Sequence, residues 1–385
     1  MTTPPPAFTE SAPKILLFAH DPGGANTIIP LVQPLQEAGY IPMLYGKRFA
    51  LEKYRQAELE GVTLEADTEE DLTIFLKEHQ PHLLITGTSA NDMTEKYLWQ
   101  AARSLNIASM AVLDQWMNYG IRFSAHGMDT LQHYQENPQH PYLPDTLCVM
   151  DAFAKEEMTA AGLPKARIEI TGQPYFQHLR QSVANLNREA IRARLGVTPE
   201  ERLLVYVSEP IELCQGASTP LGYTEKTIFQ ALLNTLAQLD NQLTSPVCLL
   251  IKGHPKESRE AYQEYINENT LKHIRIQLDD GTTPWEVVAA SDHLIGMSSM
   301  LLIEAAICDK PITSIQIGLS QPNPLVLCRQ GILQPILDES TLLEHLNTVL
   351  NGGKSESIDF PIIENPVERI LALIQTKVSR SLTAT

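Results

Sequence analysis

The sequence is poor in positive charge: 29 Lys and Arg stand against 46 Asp and Glu in 385 residues, a formal net charge of −17. Such a field repels nucleic acid and anionic membrane surfaces, and no basic run supplies a local exception. Nucleic acid is therefore not expected as a partner. Cysteine is sparse as well. Cys148, Cys214, Cys248, Cys308 and Cys328 are odd in number and widely spaced, with no CxxC pair. That argues against a disulfide framework or a zinc site and fits buried thiols in a reducing compartment. No apolar run reaches transmembrane length, and the Pro- and Thr-rich first thirteen residues lack the apolar core of a signal peptide. The expectation is a cytoplasmic protein without an integral membrane segment. What is present is a core-forming composition, 43% hydrophobic and 19% charged, with length for two or three domains.

Short apolar runs alternate with longer amphipathic ones. Lys14–Ala19, Leu83–Thr86, Ser109–Leu113, Thr146–Met150 and Ile168–Thr171 read as strands, and most are continuously apolar, as in a parallel sheet covered on both faces. Helical stretches lie between them, one over Thr27–Ala38 stopped by Gly39 and another from about Asp92 to Leu105. The pattern then restarts with Leu203–Val207, Val247–Ile251, Ile274–Gln277, His293–Gly296 and Ile312–Ile315. A polar, helix-prone stretch over Gln177–Leu195 separates the two runs and reads as an inter-domain connection. Two α/β domains are expected, over 14–175 and 200–355. Gly352-Gly353 stops a helix, and 356–385 holds a last one with Asn365-Pro366 as cap and first residue. Its apolar face of Val367, Ile370, Leu371, Ile374 and Val378 is expected to pack back onto the N-terminal half.

Four segments carry candidate chemistry. His20-Asp21-Pro22-Gly23-Gly24-Ala25-Asn26 follows the first strand, where an open parallel sheet binds ligands. Gly23 and Gly24 permit close backbone approach, and the helix start offers unpaired N–H groups. A tight turn with Asp21 or Asn26 as a cap is the alternative. The segment is neither a P-loop nor GxGxxG. Asp114, Trp116, Asn118, Tyr119 and Arg122 cluster after the SMAVL strand. They suit an acceptor pocket, with aromatics to stack and a carboxylate to take a proton; a small aromatic core is the competing reading. The Thr86–Ser89 turn, with Asn91 and Asp92, is a further candidate lining, though Asp92 alone reads as an N-terminal charge on the next helix. Lys252-Gly253-His254-Pro255-Lys256-Glu257 ends a strand, and Lys252 and His254 can meet a phosphate or a base, with a solvated turn as the alternative. Ser298 and Ser299 open a helix that carries Glu304, an arrangement suited to a diphosphate at the helix start and to ribose hydroxyls at the glutamate.

The order of the last two segments resembles the donor half of GT-B glycosyltransferases, including capsule-type transferases, CDP-glycerol glycerophosphotransferase-like enzymes and non-hydrolysing UDP-N-acetylglucosamine 2-epimerases. In that superfamily a His-Pro loop precedes a Ser- or Gly-rich turn and a helix glutamate; here these are His254-Pro255, Ser298-Ser299 and Glu304. The likeness covers most of 14–380 and extends to HDPGGAN and the TGQP segment. It implies an α/β, GT-B-like architecture: two Rossmann-like parallel-sheet domains across a cleft, the acceptor on the N-terminal side and a nucleotide-activated donor on the C-terminal side. The GTRPE-like segment of the epimerases is missing, which argues against that activity. No Asp-x-Asp metal motif follows a strand end, in keeping with a metal-independent enzyme that stabilises the leaving diphosphate with dipoles and side chains.

The leading expectation is therefore a metal-independent glycosyltransferase with no cofactor besides its nucleotide-sugar substrate and with an acceptor left open. Asp114 or the His20/Asp21 pair would be the base. His254, Ser298 and Ser299, with Lys252 behind them, would meet the diphosphate, and Glu304 the ribose. A sugar-nucleotide epimerase or hydrolase on the same scaffold is the second reading, and a catalytically inactive nucleotide- or glycan-binding protein the third. The sequence leaves the oligomeric state open.

Overall fold

The computed structural model describes residues 12–215, 219–268, 270–352 and 358–383. The chain divides into two compact units, Met1–His178 with Ile362–Thr385, and Leu179–Pro361. It passes from the first to the second within the Pro174–Ala184 helix. Gly353 and the expected division between residues 355 and 356 lie outside the described residues. No described helix is long and apolar enough to cross a membrane.

The first unit is built on β1 (Lys14–Ala19), β2 (Ile41–Gly46), β3 (Val62–Thr63), β4 (Leu83–Thr86), β5 (Ala108–Val112), β6 (Thr146–Val149) and β7 (Ile168–Ile170). They form one seven-stranded sheet in the order β3-β2-β1-β4-β5-β6-β7, and every pairing is parallel. β1 is buried beyond its first residue and β4 throughout, which is why their sequence is continuously apolar. The strand order reverses between β1 and β4, the switch point at which open α/β sheets leave a crevice. Register sets Phe18 beside Thr86 and Thr86 beside Ala111, so the segments after β1, β4 and β5 emerge along one edge. The Pro366–Thr383 helix packs against β4, β5 and the Pro22–Glu37 helix, burying Ile370, Ile374 and Val378 in this unit's core.

The second unit holds β8 (Arg202–Val207), β9 (Val247–Lys252), β10 (Ile274–Leu278), β11 (His293–Gly296) and β12 (Ile312–Ser314), a five-stranded parallel sheet ordered β10-β9-β8-β11-β12. Its switch point lies between β8 and β11, where Val207 pairs with both Lys252 and Gly296. The polar stretch before β8 forms the Arg188–Arg194 helix, capped by Asn187 and packed on the Pro284–Ala290 helix. Arg192 anchors it by donating to the Ala290 carbonyl and to Asp292.

Two departures from the sequence reading bear on the site. The first helix begins at Pro22, not Thr27, so Gly23 and Gly24 are helical residues and not a loop. Proline at the first helical position supplies the φ the turn needs and lacks an N–H that would be unsatisfied anyway. The sequence reading lacks β2 and β3: β2 (IPMLYG) is apolar but carries Pro42, which argues against a sheet strand, and β3 is a two-residue exposed strand.

Candidate functional site

Each sheet gathers chemistry-bearing residues at its switch point. In the first unit the Pro22–Glu37 helix crosses the turn after β4 so closely that a Cβ on Gly87 would lie 2.8 Å from Cα of Gly24. Gly87 therefore has no room for a side chain, and a Cβ on Gly24 would be tight at 3.3 Å from Cα of Gly87. Trp99, buried, donates to the Thr86 hydroxyl at 2.9 Å and pins the turn from below.

Around that crossing His20 Nδ1 meets Asp21 at 2.7 Å and Nε2 faces Asp92 at 3.5 Å. Burial disfavours the imidazolium, but the Asp21 hydrogen bond and the charges of Asp92, Asp21 and Glu95 outweigh it and hold His20 above its usual range. Asp21 is displaced the other way: burial raises its carboxyl, yet hydrogen bonds from His20 and Ser89, with the His20 and Arg122 charges, leave it below the usual range. Glu95 lies beneath the crossing and is 1% exposed. One carboxylate oxygen accepts the Ser89 N–H, and the other has no hydrogen-bond partner. Burial first, then Asp21 and Asp92, push it up to about 8. Next to it Lys96 donates to the Ile121 and His126 carbonyls, and burial lowers its amine to about 8.

Asp114 reaches the same edge from β5. Arg122, 2% exposed, holds Asp114 Oδ1 at 2.7 Å and also donates to Thr88. The two aromatic members of the anticipated acceptor pocket point into packing. Trp116 is buried, stacks on Phe176 with ring centroids 5.4 Å apart and donates to Asp151. Tyr119 is buried and donates to Glu157 at 2.7 Å. Asn118 is exposed at a turn with φ of 55°, and Asn26 is half-buried one turn into its helix.

In the second unit a cavity of about 750 Å³ opens over the switch point, lined by Ser208, Lys252, His254, Glu257, Ser299 and Glu304 among others. Glu257 organises its floor. It accepts the His254 N–H at 2.7 Å, the Ser208 hydroxyl at 2.8 Å and the Tyr262 hydroxyl at 2.8 Å. Burial lowers His254 despite the Glu257 charge, favouring a neutral ring. Ser299 caps the Met300–Ile307 helix by accepting from Leu301 N, and Glu304 lies on that helix facing the cavity. Lys252 is already engaged: its ammonium donates to Asp279 at 2.6 Å and to the Thr282 carbonyl. Ser298 is engaged too, giving its N–H and hydroxyl to Glu209 at 2.6 and 2.9 Å.

Glu95, Glu209 and Asp279 lie outside the motifs read from the sequence, and Glu257 ends the Lys252–Glu257 motif without a role of its own there. Glu95 looks in sequence like an ordinary acid in a helix first turn. Glu209 had a usable signal, since it follows the buried LLVYV strand by two residues.

No protein-family model matches the chain, and no curated protein sequence matches it. Solved structures do. UDP-GlcNAc 2-epimerase from Methanocaldococcus jannaschii superposes with a TM-score of 0.66 at 13% identity, over 94% of this chain and 99% of that one. The Neisseria meningitidis UDP-GlcNAc 2-epimerase bound to UDP-GlcNAc gives 0.63 at 12% identity, over 94% of this chain and 100% of that one. MurG of Acinetobacter baumannii gives 0.56 at 13% identity, over 94% and 100%. The chain carries the GT-B fold. Identities this low establish the fold alone, and what a GT-B protein does is decided by its sites.

Proposed function

We propose that this GT-B chain is a nucleotide-sugar enzyme, with the nucleotide held in the cavity beside the Met300–Ile307 helix. The observation that carries this reading is the convergence of Ser299, Glu304 and the His254 loop on that one cavity at the switch point. A helix start suits phosphate oxygens, and a carboxylate one turn further along suits paired ribose hydroxyls.

Between reactions, we favour epimerisation or hydrolysis of the sugar nucleotide over transfer to an acceptor. Trp116 and Tyr119, which would have formed an acceptor platform, are buried and hydrogen-bonded elsewhere, and two of the structural neighbours above are UDP-GlcNAc 2-epimerases. Inverting a carbon centre needs a proton removed on one face and returned on the other, hence at least two acid–base groups. We take His20, Asp21 and Asp114 as the candidates for these groups, with Asp92 and Glu95 setting the charge around His20.

The test is incubation of the protein with UDP-GlcNAc, followed by proton NMR. Appearance of the C2 epimer or of free UDP without any added acceptor supports the reading. Turnover seen only after an acceptor is added returns the chain to group transfer. Binding of UDP-, GDP-, CDP- and dTDP-sugars with no turnover of any leaves the binding-only alternative. Asp114→Asn should lower turnover by a factor of about 10²–10⁴, the usual loss for a general base.

A further inference from the structure

The helix start that would receive a diphosphate already holds an anion supplied by the chain. Glu209, two residues beyond β8, takes both the N–H and the hydroxyl of Ser298, and the Ser299 N–H adds to its hold. Charge-assisted bonds from a helix start are among the stronger contacts a carboxylate makes. Glu209 is half-buried as a residue, and burial pushes its carboxyl above the usual range against the Ser298 and Ser299 hydrogen bonds. Beside it stands Tyr223, 2% exposed. Its hydroxyl is near enough to Glu209 and Ser298 to interact with both, yet it makes no well-directed hydrogen bond. A buried hydroxyl left in this way is costly unless a ligand completes it.

We propose that Glu209 is a built-in occupant of the diphosphate seat, displaced by a phosphoryl group that also recruits the Tyr223 hydroxyl as an added donor. This rests on the reading of the second unit's cavity as a nucleotide site. A carboxylate offers two oxygens in a plane. A terminal phosphoryl group offers three in a tetrahedron and carries more charge, so it can keep the Ser298 and Ser299 donors and reach a further one. Lys252 does not stand ready to do this work, because Asp279 and Thr282 already hold it. Exchange at Glu209 therefore sets specificity: monovalent anions and carboxylate ligands must compete with an equivalent group tethered in place, while a diphosphate outbids it. Tethering makes the competitor's effective concentration high, so the discrimination is built into every empty molecule.

Isothermal titration with UDP and with inorganic pyrophosphate tests the exchange on the full chain. Glu209→Gln should bind both about tenfold more tightly than the parent, equivalent to about 1.4 kcal/mol. Tyr223→Phe should bind both several-fold more weakly. Glu304→Gln should weaken UDP and leave pyrophosphate unchanged. Equal or weaker binding by Glu209→Gln overturns the displacement. An unchanged Tyr223→Phe removes the tyrosine from the seat. Should Glu209→Gln fail to fold, Glu209→Asp, which withdraws the charge by one methylene, must show a smaller gain of the same sign. Loss of UDP affinity in Glu304→Gln without any gain in Glu209→Gln keeps the nucleotide site and discards the exchange. If no variant binds either probe, the nucleotide reading falls and the exchange falls with it.

Discussion

A Cβ on Gly23 would stand 2.1 Å from Oδ2 of Asp114. Arg122 holds that carboxylate from the other side at 2.7 Å, so it has little freedom to move away. Gly23 sits in the first turn of its helix, where a carboxylate is favoured by the helix dipole. Gly23→Ala should therefore destabilise the protein by about 1–3 kcal/mol, the usual cost of overpacking. In an Asp114→Ala background the same change should be neutral or stabilising, because alanine is otherwise the better helix former. Urea unfolding of the four proteins measures the coupling. Equal costs in both backgrounds would detach Gly23 from Asp114.

Glu95 makes stability depend on pH in a direction opposite to most carboxylates. Its folded value of about 8 lies above the ordinary carboxyl value of 4.5. The unfolded chain therefore ionises first, and the contribution of neutral Glu95 is full below pH 4.5 and drains as pH rises through about 8. Within that window the slope is about 1.4 kcal/mol per pH unit for a fully developed one-proton difference. Glu95→Gln cannot ionise, so the stability gap between it and the parent should widen in favour of the variant from pH 5 to pH 8. A gap that stays constant in denaturant titrations would mean that Glu95 is ionised in the folded protein.

How much of this was legible in the sequence depends on distance along the chain. The central strands of both sheets are short continuous apolar runs, and they were readable for that reason. β2 was not, because Ile41–Gly46 carries a proline inside it and ends on a glycine, both uncommon within a sheet strand. The Pro22–Asn26 turn looked like a loop because two glycines usually break a helix; here they are demanded by Gly87 and Asp114 packed against them. The convergence of His254, Ser299 and Glu304 on one cavity could be anticipated from motif order. The partners that occupy their neighbours could not. Asp279 is 27 residues from Lys252, and Glu209 is 89 from Ser298, so neither pair shares a local pattern.

Lys252 illustrates what such a partner changes. Strand-end position suggests a phosphate ligand, but its ammonium lies against Asp279, whose side chain is 4% exposed. Removing one member of a buried pair leaves the other charged and unpaired, at a cost of about 3–5 kcal/mol. Lys252→Met should accordingly lower the melting temperature sharply, and Lys252→Met with Asp279→Asn should recover much of the loss. UDP affinity of the double variant, measured below its melting temperature, should stay within a few-fold of the parent. A large loss of affinity with stability restored would return Lys252 to the phosphate.

The second unit carries its own pH dependence, of the opposite sense to that of Glu95. His293 opens β11 fully buried, its Nε2 2.6 Å from the Thr313 hydroxyl, which meets His345 Nε2 at 2.7 Å. Burial, with the nearby His345 and Arg202, lowers the ring from 6.5 to about 3. Above pH 6.5 both folded and unfolded forms are neutral and the histidine contributes no slope. Below it the unfolded chain takes up a proton that the folded chain refuses, so stability falls as pH drops toward 3. His293→Gln keeps a hydrogen-bonding end without a titrating ring. It should be less stable than the parent at pH 7.5, and that deficit should shrink steadily by pH 5. A deficit that is constant over this range would mean that His293 is protonated in the folded state or does not titrate on unfolding.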